Sequence, residues 1–326
     1  MIFSKRAFLQ SEIIYVRSFL VAENTLKKSA FIAITGRPNV GKSSLLNSLL
    51  GQKVAIVSNK PQTTRNRIMG VLTEGSTQFV FIDTPGLHKP RTNLGQYMVK
   101  SISESVSGVD VAMLVVEAGR KISNEEIDLI NKFKKIDLPA VLVINKIDLV
   151  KDKTTLIEQI EAFSKEYDFN AIIPLSAKTK EGIDILLKEL DKLSFESEHF
   201  FDSDTLTDQP ERVLVSEIIR EKLLRLLDKE IPHGIAVSVE KMRSRKDSSI
   251  MDIDAIIYCE KNSHKGIIIG KGGSMLKKVG KSAREDMERF FDCKINLQIW
   301  IKVKEDWRNR DALLRSFGYD SSDFDV

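Results

Sequence analysis

Residues 36–43, Gly36-Arg37-Pro38-Asn39-Val40-Gly41-Lys42-Ser43, follow directly on the apolar, β-branched run Phe31-Ile-Ala-Ile-Thr35 and lead into a helical pattern. A strand that ends in G-x-x-x-x-G-K-S and reopens as a helix admits few folds. Its glycines turn backbone N–H groups inward around an anion, and the helix N-terminus adds its positive end. The pattern implies a phosphate-binding loop running on into Ser44. Lys42 is expected to reach the β- and γ-phosphates and Ser43 to offer its hydroxyl to Mg2+.

The rest of the N-terminal part has the rhythm such a loop requires. Short apolar runs at 79–82, 111–116, 140–144 and 171–175 alternate with helical spacing over 125–135, 154–165 and 182–193. Buried strands alternating with helices predict an α/β fold, a doubly wound, mostly parallel sheet covered on both faces. With 326 residues the chain is too long for one such core. Near Phe195 the rhythm stops, and residues 196–211 are acidic and turn-rich. Beyond them the order becomes helix (212–229), strand (235–241), strand (250–258), a glycine turn at Gly270–Gly273 opening a helix to Phe291, and a strand (295–303). The expected organisation is a leader (1–29), a nucleotide domain (30–195), an acidic linker (196–211), a smaller α+β domain (212–306) and a tail (307–326).

Charge and cysteines narrow the class. No run reaches the roughly 18 uninterrupted apolar residues of a membrane span. Two cysteines, Cys259 and Cys293, make no disulfide framework and fit a reducing, cytoplasmic compartment. Residues 226–310 hold 18 Lys and Arg against 13 Asp and Glu, a surplus of five, while the whole chain carries only +4. A basic C-terminal half beside a neutral remainder points to a polyanion partner. The leader, basic with apolar clusters, reads as an artefactual extension ahead of a transit peptide or a membrane-surface helix.

Four further segments fall where a guanine-nucleotide site needs them. Asp83-Thr84-Pro85-Gly86-Leu87 follows the second run, with Asp83 expected beside Mg2+ and the Gly86 N–H beside the γ-phosphate. Asn145-Lys146-Ile-Asp148 ends the fourth run. The Asp148 carboxylate matches the N1–H and 2-amino donors of guanine, which adenine lacks, and a carboxylate left unpaired rejects the wrong base. Asn145 is expected to tie this loop to the phosphate loop. Ser176-Ala177-Lys178 ends the last run and is expected to bring the Ala177 N–H to the guanine O6. Between the first helix and the next strand lies Asn59-Lys-Pro-Gln-Thr63-Thr64-Arg65, a switch-loop position. Either threonine fits the Mg2+ shell, and the expectation is placed on Thr64.

These elements, in this order, resemble those of the translation-factor-like GTPases, and the wording GRPNVGKSSLLN, PQTTR, DTPGLH, NKID and LSAK resembles the Era subgroup. The resemblance runs from about Phe31 to Tyr319. It also covers Ile269-Gly270-Lys271-Gly272-Gly273, which matches the G-x-x-G loop of KH domains and has Lys277 and Lys278 nearby; the α-β-β-α-α-β order is that of type II KH folds. The resemblance implies a GTPase that binds 16S ribosomal RNA near its 3′ end, rather than DNA, and acts in 30S subunit maturation, its GTP state gating RNA access. The alternative is a regulatory GTPase held peripherally at the membrane. Leu87 stands where many switch GTPases carry a water-orienting glutamine, so intrinsic turnover is expected to be slow. Asn39 matches a potassium ligand of related GTPases, the competing view being that it only shapes the loop. The catalytic set expected is Lys42, Thr64, Gly86 and Asn39, with Ser43, Thr64 and Asp83 around the metal.

Overall fold

The structure, a computed structural model, describes residues 26–60, 62–86, 92–228, 231–246 and 248–319. Leu87, most of the leader and the last seven residues therefore lie outside the described residues.

Seven strands form the first sheet: β1 (Lys28–Thr35), β2 (Ile68–Glu74), β3 (Thr77–Asp83), β4 (Val111–Glu117), β5 (Ala140–Asn145), β6 (Ala171–Leu175) and the short β7 (Phe195–Glu196). Their order is β2-β3-β1-β4-β5-β6, with β7 added beside the start of β1; all are parallel except that β2 runs antiparallel to β3 and β7 to β1. The apolar runs read from the sequence are buried along their whole length in β3 and β5, as strands with helices on both faces must be. Helices α1 (Lys42–Leu50), α2 (Asn93–Ser107), α3 (Asn124–Ile136), α4 (Thr154–Glu166) and α5 (Ile183–Lys192) cover the sheet. A capping box starts α3: Ser123 Oγ accepts from the Glu126 N–H, and Glu126 Oε2 accepts from the Ser123 N–H. The chain leaves β1 toward β3 on one side and β4 on the other. That reversal of strand order, at the C-terminal end of β1, is where an open α/β sheet offers its crevice.

In this part of the chain α2 went unread in the sequence, and so did two further stretches. β2 contains Gly70, which weakens a strand pattern. Here the glycine lets α1 lie close across the strand: a Cβ on it would stand 2.7 Å from the Leu46 and Leu50 methyls, which would have to shift. The second is the segment read as a linker, which is strapped to the sheet. β7 pairs with Lys28 and Ser29, the start of β1. Gln78 accepts from the Phe200 and Phe201 N–H groups, and the Val71 N–H donates to Leu206 O. These groups satisfy one another only across more than a hundred residues.

The C-terminal part carries α6 (Glu211–Leu226), β8 (Ile235–Ser244), β9 (Ile250–Cys259), α7 (Asn262–Ile269), α8 (Ser274–Phe291), β10 (Lys294–Val303) and α9 (Asp311–Ser316). The sheet order is β10-β9-β8, with β10 parallel and β8 antiparallel to β9. α6 and α8 pack over one face, around Ile219, Leu223, Ile257, Val279 and Met287.

The stretch assigned to the tail joins the two halves. Trp307 is fully buried, donates Nε1–H to Gly234 O at 3.0 Å, and packs with Leu314 and Tyr319 against Leu94, Tyr97 and Met98 of α2. Of the chain's two tryptophans, only Trp300 is exposed and could offer its ring to a base. No helix among the described residues is long and apolar enough to cross a membrane. Trp307→Ala is expected to cost about 3–5 kcal/mol, read as a lower midpoint in urea unfolding of the whole chain.

Candidate functional site

The phosphate loop is held open by backbone constraints that only its own residues meet. Gly36 has φ 138°, and a Cβ there would lie 2.2 Å from Val115 O; Gly41 has φ 101°, with Asn145 Nδ2 at 2.3 Å from its would-be Cβ. Asn39 takes the left-handed region that asparagine tolerates. Gly86 approaches from β3, and a Cβ on it would stand 2.8 Å from Pro38 Cα. A side chain at any of these glycines would push the loop out of shape.

Two buried charges face each other inside the loop. Lys42 folds its ammonium onto Gly36 O at 2.9 Å and Arg37 O at 3.0 Å. Burial lowers its pKa to about 8, against the opposing pull of Asp83. Asp83 is fully buried at the end of β3, and burial pushes its carboxyl up to about 6, with Lys42 and the Ser43 hydroxyl holding it back. Its Oδ2 accepts from Ser43 Oγ at 2.6 Å and from Thr64 Oγ1 at 3.4 Å, and the two hydroxyls are 2.8 Å apart. The neighbouring Thr63 turns away, donating to Lys60 O at 2.6 Å.

Three hard oxygen groups thus converge, and Asp83 Oδ1 is buried without a hydrogen-bond partner. Mg2+ keeps waters and substrate phosphates in its octahedron and takes only one or two protein oxygens, so this donor set fits it. Among the described residues there is no cluster of three or more His, Cys, Asp or Glu that would make an all-protein cage.

The base-recognition segments meet at one buried amide. Asn145 Nδ2 donates to Val40 O at 2.9 Å, while its Oδ1 accepts from the Lys146 N–H at 2.8 Å and the Ala177 N–H at 3.0 Å. One side chain therefore joins the phosphate loop, the end of β5 and the end of β6. The Ala177 N–H, expected on the guanine O6, is engaged by Asn145 in this conformation. Asp148 is exposed at the rim, its Oδ1 accepting from the buried Ser176 Oγ at 2.7 Å. Lys146 spans Asn39 O at 2.6 Å and Glu117 at 2.9 Å, its stem flooring the cleft between them. Lys178 is exposed. Arg37 and Ser44 are part-buried at the loop, Val40 is buried, and Thr84 is buried with Oγ1 on Ile34 O.

Sequence reasoning missed the charges that bind the switch loop to the second domain. Arg220, Glu221 and Lys222 are consecutive in α6 and all buried, and so is Arg65. Glu221 accepts from the Val57 N–H at 3.0 Å and from Lys53 at 2.5 Å. The helix also carries Glu211, Arg212, Glu217 and Arg225, so its sequence does not set the buried triplet apart from solvated charges.

The candidate RNA loop stands apart from this site. Gly270 has φ 74° and no room for a Cβ, which would lie 2.7 Å from Met275 Cβ. Lys271, Gly272, Lys277 and Lys278 are exposed, and Ile269 and Gly273 are half-buried. Ile269, Leu276, Ile299 and Ile301 line an apolar cleft between this loop and β10, with Lys265 and Lys302 at its rim.

Comparison with known proteins agrees with both halves. A family model described as 50S ribosome-binding GTPase matches residues 31–146, and a KH domain model matches residues 230–308. GTPase Era of Ruminiclostridium cellulolyticum is 52% identical over 293 residues, covering 90% of this chain and 97% of that one. GTPase Era of Clostridioides difficile is 48% identical over 292 residues, covering 90% and 98%. Two solved structures superpose with a TM-score of 0.86 at 36% identity, covering 90% of this chain and 99% of theirs. One is Aquifex aeolicus Era bound to GDP·AlF4−; the other is Era in complex with MgGDPNP and nucleotides 1506–1542 of 16S ribosomal RNA.

The raised Asp83 carboxyl has a thermodynamic consequence. Its ionised form costs stability above about pH 6, and the cost disappears as pH falls below the ordinary carboxylate value near ~4. Asp83→Asn is therefore expected to raise the melting temperature of the nucleotide-free protein at pH 7.5, by the equivalent of about 3 kcal/mol. The gain should shrink toward zero in melts at pH 4.

Proposed function

This chain belongs to the Era family of GTPases, and on that premise we propose that it hydrolyses GTP to GDP and phosphate, binds 16S ribosomal RNA near its 3′ end and serves 30S subunit maturation. The observation that carries the reading is the convergence of Ser43, Thr64 and Asp83 beside the buried Lys42, on a chain whose other half presents a KH loop. The relatives' GTPase names and the Era complex with MgGDPNP and 16S nucleotides support it.

Each residue has a part. The loop N–H groups from Asn39 to Ser44 cradle the phosphates, and Lys42 exchanges its two carbonyl partners for phosphate oxygens. Ser43 and Thr64, with Asp83 behind them, would hold Mg2+, which when bound neutralises charge on the β- and γ-phosphates. Gly86 presents its N–H to the γ-phosphate, and Asp148 takes the guanine edge. Water attacks the γ-phosphorus in line, GDP leaves, and the loss of γ-phosphate contacts releases Thr64 and Gly86. A leucine side chain, which stands at position 87 in the sequence, has no group to orient that water as a glutamine amide would.

Asn39 gives the site a second cation ligand. Its Nδ2 donates to Asn59 O at 3.0 Å, so Oδ1 is the atom left to meet potassium beside the developing charge. Hydrolysis is expected to run faster in potassium than in sodium buffer; equal rates remove this role. The protein works in the cytoplasm by this reading, where subunits assemble. The membrane alternative draws on the basic C-terminal half as well as on the leader, most of which lies outside the described residues.

Gly272 tests the division of labour. It has φ 59°, a conformation aspartate accepts, and open space around its would-be Cβ. Gly272→Asp should therefore fold, weaken binding of a 16S 3′-end oligonucleotide by about tenfold through repulsion of phosphate, and leave GTP hydrolysis unchanged.

A further inference from the structure

Thr64 owes its place to residues outside the nucleotide domain. On its N-terminal side the Arg220 guanidinium donates to the Gln62 carbonyl at 3.4 Å and to the Thr63 carbonyl. Arg220 belongs to α6 of the second domain and is 1% exposed. Glu217, one turn earlier, grips it from behind through Nε at 2.7 Å and Nη2 at 2.5 Å. On the C-terminal side Arg65 reaches out of the switch loop, donating to Ile235 O at 2.7 Å and His233 O at 2.9 Å beneath the Trp307 ring. Two arginines thus pin the loop immediately before and after the residue whose hydroxyl meets Ser43.

A buried guanidinium is tolerable only when its donors are paired, and its planar fork then fixes whatever accepts from it. The acceptors of Arg220 include two backbone carbonyls of the switch loop. The interaction therefore sets backbone position next to Thr64, where a displacement of an ångström matters to chemistry.

We propose that Arg220 is a positioning residue for GTP hydrolysis: from the KH domain it holds the Gln62–Thr63 backbone so that the Thr64 hydroxyl stays beside Ser43 and Asp83. The inference rests on the hydrolytic reading above and adds to it a group that touches neither nucleotide nor metal.

The test compares full-length wild type, Arg220→Met and Arg220→Lys in single-turnover GTP hydrolysis across a magnesium titration, with GDP affinity and melting temperature measured alongside. Arg220→Met should hydrolyse about 10- to 100-fold more slowly and need more magnesium for half its maximal rate, while binding GDP as wild type does. Arg220→Lys, with a charge but no fork, should recover part of the rate. An unchanged rate and magnesium dependence in a folded Arg220→Met overturns the proposal. Should that variant fail to fold, Glu217→Gln, which loosens the fork without emptying its site, decides by the same two readouts. Should wild type itself not hydrolyse GTP, the hydrolytic reading falls; amide hydrogen exchange at residues 62–65 then judges the clamp, faster exchange in Arg220→Met supporting it and equal exchange overturning it.

Discussion

A lysine ammonium and an aspartate carboxyl, both taken out of water within one glycine-lined loop, set the terms for everything else here. Lys42 and Asp83 each pay for burial with a displaced pKa, and each relieves the other in part. Removing charge from water without full compensation is unfavourable, so such a pair persists where a ligand completes it. A polyphosphate with its metal supplies the missing partners: oxygens for Lys42 and a cation on the far side of the Ser43 and Thr64 hydroxyls that meet Asp83. The strained glycines and the Gly86–Pro38 approach keep the space shaped for that ligand.

The nucleotide end of the molecule was legible because its chemistry is dictated locally. Gly36 and Gly41 must be glycine for reasons of φ and approach, Lys42 and Ser43 must follow at a helix start, and Asn145 must close a strand. Each requirement leaves a mark within a few adjacent residues. The strands β3, β4 and β5 were legible for a similar reason, since a strand buried on both faces has no polar alternation to hide it. What escaped notice depends on partners far away in the chain. Gly70 looks like a strand breaker until α1 lies across it, and the segment after β7 looks like solvent-exposed linker until Gln78 and Val71 bond to it. Trp307 could be a base platform or a core residue until α2 is placed beside it.

Arg65, Arg220 and Glu221 carry that lesson furthest. Charged residues usually mark a solvated face, and nothing adjacent to them says otherwise. They are buried because each one completes the hydrogen bonds of the opposite domain, the loop carbonyls in one direction and the β8 entry in the other. α6 therefore contacts the switch loop through its charges and packs through its apolar side on α8, the helix that the glycine loop opens. The nucleotide end and the RNA end share a single helix.

Isothermal titration of the full-length protein with magnesium-GTP, and separately with magnesium-ATP, tests the account at its root. Saturable heat from GTP and none from ATP is what the buried Lys42–Asp83 pair and the Asp148 rim require. Silence with GTP, or equal heats from the two nucleotides, would contradict it.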